Sequence, residues 1–134
     1  MFNSFIKVYF FDADPAGIIF YASLFKFAHS AYEDFMRSLE LSRDFFFDDE
    51  VVLPIVHAQS DYLKPLKVGD ELKIDVWVSK LMKSSFELSY KFHDVDLDIA
   101  AMAKTVHVCV AKNDFKKTEL PSELYFKLSE HLSE

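Results

Sequence analysis

The chain has 134 residues, of which 51% are hydrophobic and 28% charged, and its formal net charge is −7. This length and composition predict one globular domain over residues 1–134 rather than a disordered chain. The acidic balance argues against nucleic-acid binding, which normally leaves a basic surface. We also expect no membrane span and no signal peptide, because no apolar run is long enough for either.

Two residue counts carry further expectations. Cys109 is the single cysteine, so no internal disulfide can form. A lone thiol is typical of reducing compartments, which predicts a cytoplasmic location. The chain also has 15 Phe but only 2 Gly. So much aromatic surface in a small domain predicts a buried oligomer interface or an apolar ligand pocket.

The first elements are a strand and a long helix. Residues 4–11 alternate weakly and predict a strand that leads into an acidic turn at Asp12. Residues 21–41 have a helical period, with apolar side chains at Leu24, Phe27, Ala28, Ala31, Tyr32, Phe35 and Leu39. Phe25 and Met36 extend the apolar side past half of the circumference. We therefore expect a curved sheet to wrap around this helix.

The rest of the chain is mostly strand-like. Residues 56–62, 72–78 and 86–92 alternate between apolar and polar side chains, with a turn at 65–69. Residues 99–112 are apolar on both faces and predict a central strand, and 121–132 predict a short terminal helix. One strand, a long helix and four meandering strands predict an α+β domain with an antiparallel sheet.

The acidic turn has features of a carbonyl-transfer site. Asp14 precedes Pro15, which keeps it extended, and Gly17 lets the backbone approach another group closely. The helix starts near Tyr21, and its free N–H groups and dipole can hold an anion or a developing oxyanion. A carboxylate ahead of a helix N-terminus supplies two parts of such a site. Ordinary loops have the same composition, so the residues alone leave both interpretations open.

Residues 12–21, Asp-Ala-Asp-Pro-Ala-Gly-Ile-Ile-Phe-Tyr, resemble the start of the 4-hydroxybenzoyl-CoA thioesterase family of hot-dog proteins. Runs at 53–57, 60–65, 68–72 and 83–87 resemble its later strands and turn, so the resemblance covers residues 5–112 in order. It implies a five-stranded antiparallel sheet wrapped around one long helix. It also implies an acyl-CoA thioesterase without a cofactor, which forms homodimers with active sites between subunits, often paired into homotetramers.

The resemblance assigns roles to the residues of the turn. Asp14 matches the carboxylate that attacks the thioester carbonyl or activates the water that does so. The backbone N–H of Tyr21 matches the group that holds the oxyanion. Gly17 matches the glycine that lets the substrate come close, and Asp12 matches an acid that we interpret as structural. A thioester is already electrophilic, so one ionised carboxylate and a prepared oxyanion hole can suffice.

Three residues outside the turn match positions that contact substrate in relatives. His29 stands where many relatives have an acidic residue near the acyl group, which argues against a 4-hydroxybenzoyl substrate. It is either a contact to the acyl group or partner subunit, or a boundary residue of the helix. Lys83 and Lys80 are predicted in the turn where relatives bind the phosphates of coenzyme A. For either lysine alone, an ordinary solvated side chain is at least as good an explanation.

Other chemistry-bearing residues have simpler explanations. His107 and Cys109 share one face of an apolar strand, which favours a place in the core over a catalytic pair. No metal-binding pattern such as His-x-His or His-Glu-x-x-His is present. Phe45 to Phe47 are either a lid over the acyl group or, by preference, part of the core or an interface.

Two rival functions stay open on the same fold. A dehydratase acting on hydroxyacyl thioesters requires a histidine paired with an acid at the helix start, and here the first helical histidine comes eight residues later. A non-catalytic acyl-binding protein would keep an aromatic pocket without needing Asp14. The sequence also leaves open the acyl group and whether its carrier is CoA or acyl carrier protein.

Overall fold

The computed structural model describes residues 1–19 and 21–133. One main sheet and one long helix make up most of the domain, as predicted. In chain order the elements are β1 (Phe2–Lys7), a 3-10 turn (Phe10–Asp12), α1 (Tyr21–Ser38), β2 (Val51–Val52), β3 (Ile55–Tyr62), β4 (Glu71–Leu81), β5 (Ser85–His93), β6 (Ile99–Val108), β7 (Val110–Ala111) and α2 (Ser122–Ser129).

The main sheet is antiparallel and has the strand order β1-β4-β5-β6-β3. Strands β4, β5 and β6 form the expected meander. The prediction that all four strands after the helix meander in chain order was wrong for β3. β3 pairs with β6, where Ala58 lies opposite Thr105, instead of pairing with β4. Residues 63–70 therefore cross the end of the sheet to connect one edge with its interior. That crossing carries the chain past the acidic turn.

The predicted apolar stripe of α1 is buried against the concave face of the sheet. Its buried side chains are Ser23, Leu24, Phe27, Ala28, Ala31, Tyr32, Phe35 and Met36. The helix ends at Ser38, three residues earlier than predicted, because Glu40 takes a left-handed φ of 52°. Leu39 stays buried beyond the helix end. The wide apolar surface of α1 is thus explained by the sheet that wraps around the helix, as the sequence indicated.

Two strands are shorter than predicted. The first strand ends at Lys7, because the Asp12 carboxylate accepts the N–H of Tyr9 at 2.9 Å and draws the chain into the 3-10 turn. The strand predicted over 99–112 breaks at Cys109, whose N–H donates to the carbonyl of Ser84. The chain then continues as β7, which leaves the main sheet and pairs with β2. Sequence periodicity did not reveal this second, two-stranded sheet.

The core is unevenly filled along the sheet. Under β4 and β5 it holds large side chains that are fully buried, namely Leu72, Ile74, Val76, Val78, Phe86, Leu88 and Phe92. Under β6 and β3 the corresponding positions carry the smaller Ala58, Ala101, Ala103 and Thr105. Within the described residues, no helix is long and apolar enough to cross a membrane.

The aromatic loop after α1 contributes mainly to the core. Phe45 is buried and Phe46 is half-buried against the core, whereas Phe47 is exposed. Arg43 fixes the loop through two hydrogen bonds to the Asp48 carboxylate, at 3.0 and 2.7 Å. The preference for a packing role is therefore supported for two of the three rings.

Candidate active site

The acidic turn is a short hairpin whose ends pair between Ala13 and Ile19. The N–H of Asp14 donates to the carbonyl of Ile18 at 3.0 Å, and the N–H of Gly17 donates to the carbonyl of Asp14 at 2.9 Å. Gly17 has a φ of +80°, which disfavours any residue with a Cβ. A Cβ there would meet no atom within 4 Å. Backbone conformation, and not a close approach within the chain, therefore requires this glycine.

The turn is fastened to the crossing segment that follows β3. The N–H of Ile19 donates to the carbonyl of Leu66 at 2.9 Å, and the N–H of Val68 donates to the carbonyl of Gly17 at 3.2 Å. Ile18 and Lys67 form a bridge between these bonds. An acidic loop with such backbone bonds has a fixed position relative to the sheet.

Asp12 holds the turn against α1. Its carboxylate is buried and accepts the Lys26 ammonium at 2.7 Å in addition to the N–H of Tyr9. Its carbonyl accepts the hydroxyl of Ser23 at 2.8 Å. These contacts agree with the structural role that the sequence suggested for this acid.

Asp14, in contrast, exposes its carboxylate. One oxygen, Oδ1, accepts the N–H of Ala16 at 2.9 Å, which orients the group. Oδ2 receives no hydrogen bond from any residue in the described part of the chain. Helix α1 begins at Tyr21, whose carbonyl accepts the hydroxyl of Tyr62 at 2.7 Å. Phe20, the motif residue between the turn and the helix, lies outside the described residues.

The acidic turn and the start of α1 thus lie at the same end of the sheet. The turn supplies a carboxylate that can act as a base or nucleophile. The first turn of α1 supplies N–H groups that lack partners within the helix, and the first of them belongs to Tyr21. Such donors suit the negative charge that forms on a carbonyl oxygen during acyl transfer.

Within one chain, His29 lies away from the acidic turn. It follows Tyr21 by eight residues, about 12 Å along the helix axis. Its side chain is exposed at the border of the buried stripe, with its ring 5.6 Å from that of Tyr32. It borders a cavity of about 410 Å³ between α1 and the β3 side of the sheet, together with Phe25, Lys26, Ile55, Ala58, Tyr90 and Thr105.

The two lysines lie at the opposite end of the sheet. β4 starts at Glu71, beside the acidic turn, and Lys80 comes nine residues later, roughly 30 Å along the strand. Lys80 lies within the strand opposite Glu87, so its predicted place in the turn was wrong. Lys83 is in the β4–β5 turn, where its side chain is exposed and its Nζ lies 3.9 Å from the carboxylate of Glu119. The fold of one chain does not bring either lysine to Asp14.

Sequence reasoning missed a buried polar chain behind the cavity. The hydroxyls of Tyr90 and Thr105 are 2.9 Å apart, and Thr105 Oγ1 lies 2.8 Å from His107 Nε2. Tyr90 occupies a core-facing position of β5, where an alternating pattern indicates only packing. The signal available in the sequence was that Tyr90, Thr105 and His107 all carry polar groups at core-facing positions of two neighbouring strands.

His107 and Cys109 are both buried, as predicted. Burial lowers the pKa of His107 to about 3, so its imidazole is neutral at ordinary pH. Burial also raises the pKa of the Cys109 thiol, which disfavours the reactive thiolate. Neither residue has the properties of a nucleophile or its base, which supports their assignment to the core.

Comparison with known proteins identifies the class. Residues 8–128 match the family described as the Thioesterase-like superfamily, so the chain belongs to that superfamily. It is 37% identical over 118 residues to the 1,4-dihydroxy-2-naphthoyl-CoA hydrolase of Microcystis aeruginosa, with 87% of this chain and 85% of that protein covered.

Solved structures agree with this assignment. The 1,4-dihydroxy-2-naphthoyl-CoA thioesterase Slr0204 from Synechocystis has a TM-score of 0.88 at 28% identity, covering 96% of this chain and 95% of the other. The gentisyl-coenzyme A thioesterase BH1999 has a TM-score of 0.84 at 25% identity, covering 94% and 98%. The predicted α+β hot-dog fold and thioester hydrolase class are confirmed. The narrower resemblance to the 4-hydroxybenzoyl-CoA thioesterase family is not confirmed.

Proposed function

We propose that this protein hydrolyses the CoA thioester of a hydroxylated aromatic acid, with 1,4-dihydroxy-2-naphthoyl-CoA as the leading substrate. The relatives named for that substrate support it, and gentisyl-CoA has a hydroxylated aromatic acyl group too. The observation that carries the proposed site is the placement of Asp14: an exposed carboxylate on a turn fixed by backbone hydrogen bonds just ahead of α1. A reducing compartment such as the cytoplasm suits the free thiol of Cys109.

In this proposal Asp14 acts in one of two ways. As a nucleophile, its carboxylate attacks the thioester carbon, the C–S bond breaks to release CoA, and water then hydrolyses the mixed anhydride. As a general base, it takes a proton from the attacking water and returns it to the departing thiolate. The Tyr21 N–H stabilises the oxyanion in both routes, with Gly17 keeping the approach clear of a side chain.

A second copy of the chain completes the proposed site. β3 is an edge strand with apolar side chains exposed at Ile55 and Val56, which makes it a template for pairing. Antiparallel pairing of two β3 strands about a two-fold axis places opposite ends of the two sheets side by side. The Asp14 turn of one chain then faces the end where its partner holds the β4–β5 turn. Lys83, and with it Lys80, would reach the CoA phosphates from there, in a homodimer or a homotetramer of two dimers.

A thiol-release assay with Asp14→Asn tests the proposal. Loss of the carboxylate is expected to lower kcat by about 100- to 10,000-fold, the range for a positioned acid–base group. Asp49→Asn is the matched control, because Asp49 is an exposed carboxylate outside the turn. The substrates are 1,4-dihydroxy-2-naphthoyl-CoA, gentisyl-CoA, 4-hydroxybenzoyl-CoA, short- and long-chain acyl-CoAs, and an acyl carrier protein thioester.

The result also separates the rival functions. Equal release by wild type and Asp14→Asn on every substrate rules out the catalytic role of Asp14. Binding of the thioesters without any release identifies a non-catalytic acyl-binding protein. A dehydratase would convert a 3-hydroxyacyl thioester to the enoyl form, but the first helical histidine lies about 12 Å beyond the helix start, which disfavours that reaction.

A further inference from the structure

The cavity between α1 and β3 has the size of a small-molecule pocket. Its volume of about 410 Å³ falls within the roughly 300–1,000 Å³ typical of ligand sites. Ala58 lines it at a position where a larger side chain would fill part of the space between sheet and helix. Phe25 and Ile55 give it apolar walls suited to an aromatic ring. Phe25 follows Tyr21 by four residues, about 6 Å along the helix.

The polar groups of this cavity require an explanation. Tyr90 and Thr105 border it, although they are only 1% and 4% exposed, and His107 behind them is fully buried. Buried polar groups cost free energy unless they are hydrogen-bonded. The chain from Tyr90 through Thr105 to His107 gives Thr105 Oγ1 and His107 Nε2 partners and leaves the Tyr90 hydroxyl as its outer end.

The direction of the hydrogen bonds follows from the inner end of the chain. Neutral His107 carries one N–H and one bare nitrogen. Its Nδ1 lies near the carbonyl of Leu53, which favours the N–H on that nitrogen, although the two groups lack good hydrogen-bond geometry. Nε2 then accepts a hydrogen bond from Thr105, and Thr105 accepts one from Tyr90. The lone pairs of the Tyr90 oxygen remain available to the cavity.

Resting on the proposed thioester hydrolysis, we infer that Tyr90 is a specificity-determining residue. Its hydroxyl oxygen accepts a hydrogen bond from a hydroxyl group on the aromatic ring of the acyl group, and the ring occupies the cavity beside Phe25. Thr105 and His107 are positioning residues that fix the orientation of this acceptor. An acyl ring without a hydroxyl at the matching position leaves the acceptor unpaired, and a site of this kind discriminates against it.

Tyr90→Phe tests the inference because it removes only the hydroxyl. The probes are the free acids 2-naphthoate, 1-hydroxy-2-naphthoate and 4-hydroxy-2-naphthoate, with binding measured by calorimetry, and their CoA thioesters, with kcat/KM measured by thiol release. Wild type is expected to prefer one hydroxylated ring by about 10-fold, the effect of one desolvated hydrogen bond. Tyr90→Phe should remove that preference and leave binding of 2-naphthoate unchanged.

Position 105 provides an independent pair of variants. Thr105→Ser keeps the hydroxyl and should keep the preference, whereas Thr105→Val, which has nearly the same shape, should reduce it. The inference is overturned if wild type does not distinguish the acids, or if Tyr90→Phe distinguishes them as well as wild type does. If the wild-type protein hydrolyses no thioester, the proposed reaction is refuted. Calorimetry still decides the role of Tyr90, because binding of the free acids needs no turnover.

Discussion

The two sides of α1 meet different halves of the same sheet. Towards β4 the interface is filled, with Phe27, Val76 and Val78 fully buried. Towards β3 it opens into the cavity, bordered by Phe25, Tyr90 and the small side chain of Ala58. Phe25 and Phe27 are only two residues apart, yet one borders a proposed substrate site and the other is pure core. In the proposed function, α1 thus contributes to stability through one face and to specificity through the other.

The largest expected effect distinguishes these two phenylalanines. Phe27→Ala should lower the free energy of unfolding by about 3–5 kcal/mol, because it leaves a void in packed core. Phe25→Ala should cost about 1 kcal/mol, since its side chain is half-buried and already borders empty space. Denaturant unfolding of both variants provides the measurement. Equal losses would mean that the two sides of α1 are packed alike.

A second expected effect concerns pH and the polar half of the core. The pKa of His107 is about 3 in the folded protein against 6.5 ordinarily. Above pH 6.5 the ring is neutral in both states, so stability does not depend on it. Between pH 6.5 and 3 the unfolded chain binds a proton that the folded chain cannot, which lowers the free energy of unfolding by up to about 1.4 kcal/mol per pH unit.

His107→Phe isolates that contribution. Phenylalanine keeps an aromatic ring between Phe86 and Tyr32, which both pack on His107. The variant should lose less stability on acidification than wild type, as measured by urea unfolding at several pH values. Parallel curves for the two proteins would show that burial of His107 does not shift its titration.

The smallest expected effect on the unfolding of a single chain comes from the β3 edge. Val56→Lys changes an exposed side chain and should alter the free energy of unfolding of one chain by no more than about 0.5 kcal/mol. It should nevertheless weaken self-association, because a charged edge strand resists pairing. Val95→Lys, at an equally exposed valine in the β5–β6 turn, is the control. If sedimentation velocity reports the same assembly for both variants, β3 does not form the interface.

Much of this arrangement could be predicted from residue patterns. The period of α1 identified its buried face because side chains three and four apart share one side of a helix. The acidic turn was recognisable as a turn because Asp14, Pro15 and Gly17 constrain the backbone locally. Both features depend on residues close together in the chain.

The features that were missed depend on distant pairing. Alternation in β3 shows which side chains share a face but not which strand lies beside it. The distance between Lys83 and Asp14 follows from the length of β4, which separates the two ends of the sheet. The hydrogen bond between Tyr90 and Thr105 follows from the pairing of β5 with β6. A tyrosine in an alternating strand is typical of plain core, and only its neighbour across the sheet reveals the polar chain.

The hydrogen bond from the Tyr62 hydroxyl to the Tyr21 carbonyl joins the last residue of β3 to the first residue of α1. For protein engineering, this bond means that the hairpin cannot be transplanted alone. A designer who grafts the Asp14 hairpin onto another scaffold must also transfer β3 and residues 63–70, because these supply the partners that hold it. A shift of β3 by one residue would exchange Tyr62 for a neighbour facing the other side and release the helix end. The hairpin, edge strand and helix start therefore form one module.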